Sequence, residues 1–324
     1  MGAALAINLD RAGHAITLCA TEFDGPFIEA IEKTGIHPSL DHALSNSIRI
    51  SEFSDWGAAL EVTDVAVIAV SSTGLRSTFG TVTAALSSHA PVLIATKGWD
   101  PETGQPLSNI LAADAKGRSI AWLVGPTLAE ETASGRPTAL VCASETIDTA
   151  KELADALSSP VLRIFVTSDV TGVEIGAALK NVIAVAVGMC DGLAEASGAT
   201  FTNAKAALFS QGLVEMTRLS RALGGRDETV IGLTGSGDLF VTVMGGRNAR
   251  FGRLVGAGVD PKEALDHMST TVEGYEGCAR ALKLAKDLDL DLPLVRFVHS
   301  VVHEGADPSV ALVSFFATWT KAEI

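Results

Sequence analysis

Apolar residues along this chain follow two regimes. Up to Thr167, short runs rich in Val, Ile and Leu alternate with stretches whose apolar positions recur at helical spacing; after it the helical spacing continues without convincing strands. From the amino end, GAALAINLDRAGH predicts a helix that stops at Gly13, and AITLCA predicts a short buried strand. Next come a helix near Pro26 to Lys33, the strand VAVIAVS ending at Ser71, a helix over Leu75 to Leu86, the strand VLIATKG, a helix near Ser108 to Ala113 and the strand IAWLVG. Strands and helices in alternation predict an α/β unit, a doubly wound parallel sheet with both faces covered. The change of regime places a domain boundary just past Thr167, giving domains 1–167 and 168–324. No internal repeat or low-complexity segment interrupts either half.

The second half opens on TGVEIGAALKNVIAVAVGMCDGL, Thr171 to Leu193, which lacks Pro and is mostly apolar. Gly172, Gly176, Lys180, Ala184 and Gly188 recur every fourth position, the period of one ridge on a long buried helix, and small residues there let another backbone come close. Lys180 stands on that ridge. An unpaired buried ammonium is costly, so it must find an anion, lose its proton or reach water. Asp191 follows about three turns later on the same face. Two readings stay open: a structural ion pair between Lys180 and Asp191, or a lysine placed to act as acid or base.

Composition narrows the field. A chain of 324 residues, 47% of them apolar, is long enough for two domains with a core each. Its formal net charge of -14 argues against general nucleic-acid binding, so any phosphate it holds is expected to be small and held locally. Cys19, Cys142, Cys190 and Cys278 lie far apart with no CxxC motif and no His-rich partner, so we expect neither a metal site nor a disulfide framework, but reduced thiols in a cytoplasmic protein. No apolar run reaches the roughly 18 to 20 residues of a membrane span without a charge inside it, and no basic segment followed by an apolar one opens the chain.

A dinucleotide-binding unit starts with a strand and GxGxxG, whose glycines let backbone amides and a helix start meet the pyrophosphate. This sequence begins at Met1-Gly2, where only the last glycine of that fingerprint remains. The expectation is that Met1 is an internal methionine of a longer natural chain; the alternative is a degraded domain that holds nucleotide poorly.

Other polar groups fall where ligands bind. Lys97 stands just after a strand, at the end of a sheet where α/β proteins take ligands, or else is an ordinary turn lysine. In LVGPTLAEETASGRPT a strand runs into Gly125-Pro126-Thr127, and Ala129, Glu130 and Glu131 start a helix whose amides suit an anion or a cofactor amide; Pro and acids are equally an ordinary helix-start signal. Between Gly232 and Gly252, glycines permit close backbone approach, Asp238 and Thr242 add polar groups, and Gly245-Gly246-Arg247-Asn248 joins a guanidinium fork to a carboxamide, a set suited to a phosphate or to a plain exposed turn. Glu273, in Thr271-Val272-Glu273-Gly274, is either a helix-start acid or a ligand contact.

In order and spacing, TKG at Thr96–Gly98, GPTLAEE at Gly125–Glu131, GVEIGAALKNVIAVAVG at Gly172–Gly188, DGL at Asp191–Leu193, GDL at Gly237–Leu239, GGRN at Gly245–Asn248 and VEG at Val272–Gly274 resemble the NAD(P)-dependent glycerol-3-phosphate dehydrogenase family over nearly the whole chain. The resemblance implies a Rossmann-type domain, here without its first strand, and an all-helical substrate domain of the 6-phosphogluconate dehydrogenase C-terminal type. It implies reversible interconversion of dihydroxyacetone phosphate and sn-glycerol 3-phosphate with NAD or NADP, feeding phospholipid synthesis; the sequence leaves the oligomeric state open, a homodimer being one option. It makes Lys180 the proton donor and acceptor, with Lys97 near the carbonyl and nicotinamide and Asn181 and Asp238 orienting the reacting groups. Lys97, Gly125, Thr127, Lys180, Asp238, Thr242, Gly246, Arg247 and Asn248 would meet the substrate, Arg247 and Asn248 at its phosphate; Gly2, Lys97, Ala129, Arg247 and Glu273 would meet the cofactor.

Three departures stand out. The fingerprint is missing; Ala20-Thr21-Glu22 replaces an arginine suited to a 2′-phosphate, which leaves the coenzyme open; and Gly246 stands where many bacterial members have serine. Alternatives are a ketopantoate reductase or 3-hydroxyacid dehydrogenase of the same plan, and a non-catalytic binding or scaffold descendant.

Overall fold

The computed structural model describes residues 1–115, 117–268 and 271–319. Contacts divide the chain into two compact units, Met1–Lys97 with Leu107–Val170, and Gly98–Pro106 with Thr171–Ile324.

The first unit holds helices α1 (Gly2–Arg11), α2 (Gly25–Thr34), α3 (Trp56–Glu61), α4 (Ser72–Ala85), α5 (Leu107–Asp114), α6 (Ala129–Ala133) and α7 (Ile147–Leu157). Its strands are β1 (Thr17–Cys19), β2 (Ile36–His37), β3 (His42–Ala43), β4 (Arg49–Ser51), β5 (Ala66–Ile68), β6 (Val92–Ile94), β7 (Ile120–Val124), β8 (Thr138–Ala143) and β9 (Leu162–Thr167). β1 pairs with β4 in parallel, and β5 to β9 form a five-stranded sheet in chain order. Among the described residues no strand is paired between β1 and β5. α1 joins the two pieces: Leu5 and Leu9 enter the core beneath β6, β7 and β8, while Ala4 and Ile7 enter a smaller core with Leu40, Ile48 and Ala133. Gly13, just past α1, has φ +97, a left-handed turn that suits the stop read from the sequence.

The sheet departs from the expected all-parallel order at one place, where β7 and β8 run antiparallel with Leu123 opposite Cys142. A parallel neighbour needs a crossover that carries the chain back along the sheet. The link from Gly125 to Pro137 contains only the five-residue α6, so the chain turns back from the end where β7 finished. β8 and β9, connected by α7, are again parallel.

The second unit is helical: α8 (Val170–Ser197), α9 (Thr202–Ala222), α10 (Asp227–Ile231), α11 (Asp238–Val243), α12 (Arg247–Gly256), α13 (Pro261–Asp266), α14 (Glu273–Asp287), α15 (Pro293–Val302) and α16 (Pro308–Thr318). Between α10 and α11, Leu233–Gly237 forms a π-helical turn, with Gly237 N donating to Gly232 O at 3.2 Å. Among the described residues α8 alone is long and apolar enough to cross a membrane, and its apolar window is wholly buried in the protein. Trp99, in the excursion Gly98–Pro106, packs in the core of this unit, an attachment the strand pattern around it does not announce.

The small residues of α8 do bring backbones together. A Cβ on Gly188 would lie 2.1 Å from Ala249 O, and one on Gly192 would lie 2.0 Å from Arg253 O. Reciprocally, a Cβ on Gly252 would lie 2.1 Å from Val185 O and one on Gly256 2.1 Å from Met189 O. α8 and α12 therefore cross main chain against main chain, and any larger residue at these four positions would force them apart.

Candidate active site

Eight of the site residues read from the sequence meet in the second unit. Lys180 Nζ donates to Asp238 Oδ1 at 2.7 Å and to Thr242 Oγ1 at 3.0 Å. Thr242 Oγ1 in turn donates to Asp238 O at 2.6 Å. Asp238 and Thr242 are one turn apart on α11 and so face α8 together, while Phe240, between them, is exposed. The π-helical turn that precedes Asp238 packs beside α8, since a Cβ on Gly176 would come within 2.9 Å of Thr234 O. Lys180 is 5% exposed and Asp238 1%, so a paired charge sits in an apolar surround.

Asp191 does not take part. It accepts from Lys205 Nζ at 2.7 Å, on α9, with both side chains more than a third exposed. The structural pair between Lys180 and Asp191 is thereby overturned: equal spacing on a straight helix brings two residues to one face, but about three turns span some 16 Å at 1.5 Å per residue. A lysine side chain cannot bridge that length, and each charge finds a nearer partner on another helix.

A second cluster adjoins this one on α8. Asn248 Nδ2 donates to Asn181 Oδ1 at 2.9 Å, and Gly274 N donates to Asn248 Oδ1 at 2.8 Å. Gly274 must lack a side chain here, because a Cβ would lie 2.5 Å from Asn181 O. Glu273, the first residue of α14, pairs through Oε1 with Arg247 Nη2 at 2.8 Å and accepts from Asn248 Nδ2 through Oε2 at 3.4 Å. Gly246 caps α12, and a Cβ on it would meet Thr242 O at 2.6 Å. The crossing of α8 and α12 sets Asn248 beside Asn181, so packing and polar contacts agree on one register.

The remaining residues lie in the first unit. Lys97, just past β6, donates to Gly125 O at 3.1 Å, and Thr127 Oγ1 donates to the same oxygen at 3.2 Å. Ala129 begins α6, as its sequence indicated. Gly2 begins α1, and a Cβ on it would lie 3.4 Å from Ala69 Cβ, so the helix start abuts the carboxyl end of β5. Gly2, Lys97 and Gly125–Thr127 thus lie at or just past the carboxyl ends of β5, β6 and β7, the end of a parallel sheet with which a nucleotide site is compatible. Among the described residues no group of three or more His, Cys, Asp or Glu is placed to hold a metal.

Sequence reasoning did not find the partner of Lys180, which is 58 positions away, nor the latticework of Asn181, Asn248 and Gly274. The one available signal was the i, i+4 spacing of Asp238 and Thr242 on a short helix.

Comparison with known proteins gives the same picture. Profiles described as NAD-dependent glycerol-3-phosphate dehydrogenase N-terminus and C-terminus match residues 1–150 and 169–313. Glycerol-3-phosphate dehydrogenase [NAD(P)+] of Thiobacillus denitrificans is 37% identical over 326 residues, covering 99% of this chain and 96% of the relative. The crystal structure of glycerol-3-phosphate dehydrogenase from Coxiella burnetii is 31% identical, with a TM-score of 0.87 over 97% of this chain and 95% of that one. A ketopantoate reductase from Ralstonia eutropha is 18% identical with a TM-score of 0.57 and shares the fold alone. The other-dehydrogenase and scaffold readings are not favoured, and this chain belongs to the NAD-dependent glycerol-3-phosphate dehydrogenase family.

Proposed function

We propose that this chain interconverts dihydroxyacetone phosphate and sn-glycerol 3-phosphate with NAD or NADP, using Lys180 to move the proton, and so supplies glycerol phosphate for lipid synthesis. The observation that carries the reading is a buried lysine fixed by a buried carboxylate and a hydroxyl, at 2.7 and 3.0 Å. When bound, the nicotinamide supplies or accepts the hydride. Reduction puts negative charge on the carbonyl oxygen, and the Lys180 ammonium is suited to stabilise that charge and then donate its proton there. In the oxidising direction the same amine takes up the hydroxyl proton. Asp238 and Thr242 hold the amine in line; Asn181, tied to Asn248, orients the substrate.

Arg247 and Asn248, with Gly246 at the start of α12, are the phosphate donors in this reading. A guanidinium fork matches two phosphate oxygens at once. Lys97, gathered with Thr127 on Gly125 O, belongs near the carbonyl and the nicotinamide; Gly2, Ala129, Arg247 and Glu273 complete the coenzyme contacts. Residues 1–167 would serve the nucleotide and 168–324 the substrate. Four free cysteines support a cytoplasmic setting. A homodimer is supported by the exposed apolar Val310 and Val313 on α16 and is checked by sedimentation.

The decisive experiment is oxidation of NADH and of NADPH with dihydroxyacetone phosphate, in the natural chain and in Lys180→Ala. The expected result is a loss of about 10³-fold or more in kcat for a folded variant, the scale of removing a general acid. A folded Lys180→Ala with undiminished turnover would overturn the assignment.

A further inference from the structure

We propose that Glu273 is a built-in anion that occupies the phosphate donors and is exchanged for the phosphoryl group of the substrate; this rests on reading Arg247 and Asn248 as those donors. Its carboxylate straddles the two, Oε1 accepting from Arg247 Nη2 at 2.8 Å and Oε2 from Asn248 Nδ2 at 3.4 Å. A carboxylate and a phosphate compete for the same N–H groups. The seat therefore carries its own weak competitor.

The two donors are held very differently. Asn248 is 3% exposed and its amide is fixed from two further directions, by Asn181 Oδ1 at 2.9 Å and by Gly274 N at 2.8 Å. The Arg247 and Glu273 side chains are 49% and 27% exposed, and water screens such a pair, so it opens at little cost. The seat thus has one fixed wall and one latch. Charge decides which way the latch stands. A phosphate dianion beside a retained Glu273 faces a like charge, whereas release of the carboxylate frees the guanidinium fork to take two phosphate oxygens. An unphosphorylated triose brings no charge to drive that exchange, and Arg247 stays on Glu273. Glu273 in this way sets the threshold for which anions enter, and acts as a specificity-determining residue rather than one that touches the reacting carbonyl.

The test is calorimetric titration of the full chain with inorganic phosphate, without coenzyme, so that any nucleotide contact of Glu273 is silent. The proteins compared are the natural chain, Glu273→Gln and Arg247→Gln, each first checked for a cooperative melt. Glu273→Gln is expected to bind phosphate about fivefold more tightly, the fold-change that matches loss of one partly exposed competing ion pair. Should Glu273→Gln fail to fold, Glu273→Asp takes its place with a smaller gain expected, about twofold, since it keeps the charge at the first turn of α14 but is one methylene short of spanning both donors. Phosphate binding that is unchanged or weaker in the folded variant overturns the exchange. Arg247→Gln separates the two levels: if it binds phosphate as the natural chain does, the phosphate seat itself falls; if it loses binding while Glu273→Gln gains none, only the latch falls.

Discussion

Lys180 reaches Asp238 across 2.7 Å although 58 residues of sequence lie between them, and both side chains are buried. The carboxylate thus sits where it can hold an ammonium in place but cannot be replaced by water. Asp238→Asn keeps the shape and removes the charge. We expect its kcat to fall on the order of 10²-fold, the lower end for disabling a general acid, with KM for dihydroxyacetone phosphate changed much less. Steady-state kinetics over a pH series checks this, and equal losses in kcat and affinity would point to a purely structural role.

Asp191 provides the contrast. Its partner is Lys205, and the pair is more than a third exposed on both sides. Asp191→Asn is expected to change stability by no more than about 1 kcal/mol and leave kcat within about twofold, as for other solvent-screened pairs. A loss in kcat comparable to that of Asp238→Asn would mean that α8 presents its charges otherwise than described.

Gly188 tests the helix crossing. A methyl group there would lie 2.1 Å from Ala249 O, well inside contact distance, so α8 and α12 must separate to admit it. Gly188→Ala is expected to cost about 2–3 kcal/mol, the upper part of the range for an overpacked core because the clash is with backbone, read as a lowered denaturant midpoint. Because Ala249 follows Asn248, a weaker apparent affinity for inorganic phosphate should accompany the loss.

Glu215, on a helix that packs against α8, governs a pH dependence of stability. Its carboxylate on α9 accepts from Gln211 Nε2 at 2.9 Å, Leu294 N at 2.6 Å and Val295 N at 3.1 Å, capping the start of α15. Burial outweighs these donors and the nearby Arg218 charge, and pushes its pKa from 4.5 up to about 7. Between those values the folded chain keeps a proton that the unfolded chain has released, so stability falls as pH rises through that window. The shift corresponds to about 3 kcal/mol at 1.36 kcal/mol per unit. Chemical denaturation at pH values across the window is expected to show this decline in the natural chain and a flatter profile in Glu215→Gln; a stability that climbs over the same range would contradict the assignment.

Much of the architecture was legible because burial leaves a periodic trace. The alternation up to Thr167 and the four-residue ridge of α8 correspond to the sheet and to the helix crossing, since both depend on where apolar and small residues recur. The site was legible as a set of residue types and not as a set of pairs. Asp191 shares a face with Lys180 on paper, yet the length of the helix keeps them apart, and the anion that Lys180 needs arrives on α11 by way of a π-helical turn that no apolar period encodes. The reversal between β7 and β8 was hidden for a related reason: a buried parallel strand and a buried antiparallel one read alike, and only the shortness of α6 separates them.

The crossing of α8 and α12 makes the count of residues along α8 as strict as their identity. Lys180 lies eight positions, a little over two turns, ahead of Gly188, whose backbone is pinned against Ala249. Deleting or inserting a single residue between them would leave a sound helix but swing Lys180 by about 100° around its axis, away from Asp238. The crossing works as the origin of a ruler, and the chemistry proposed for Lys180 is a mark at a fixed distance along it.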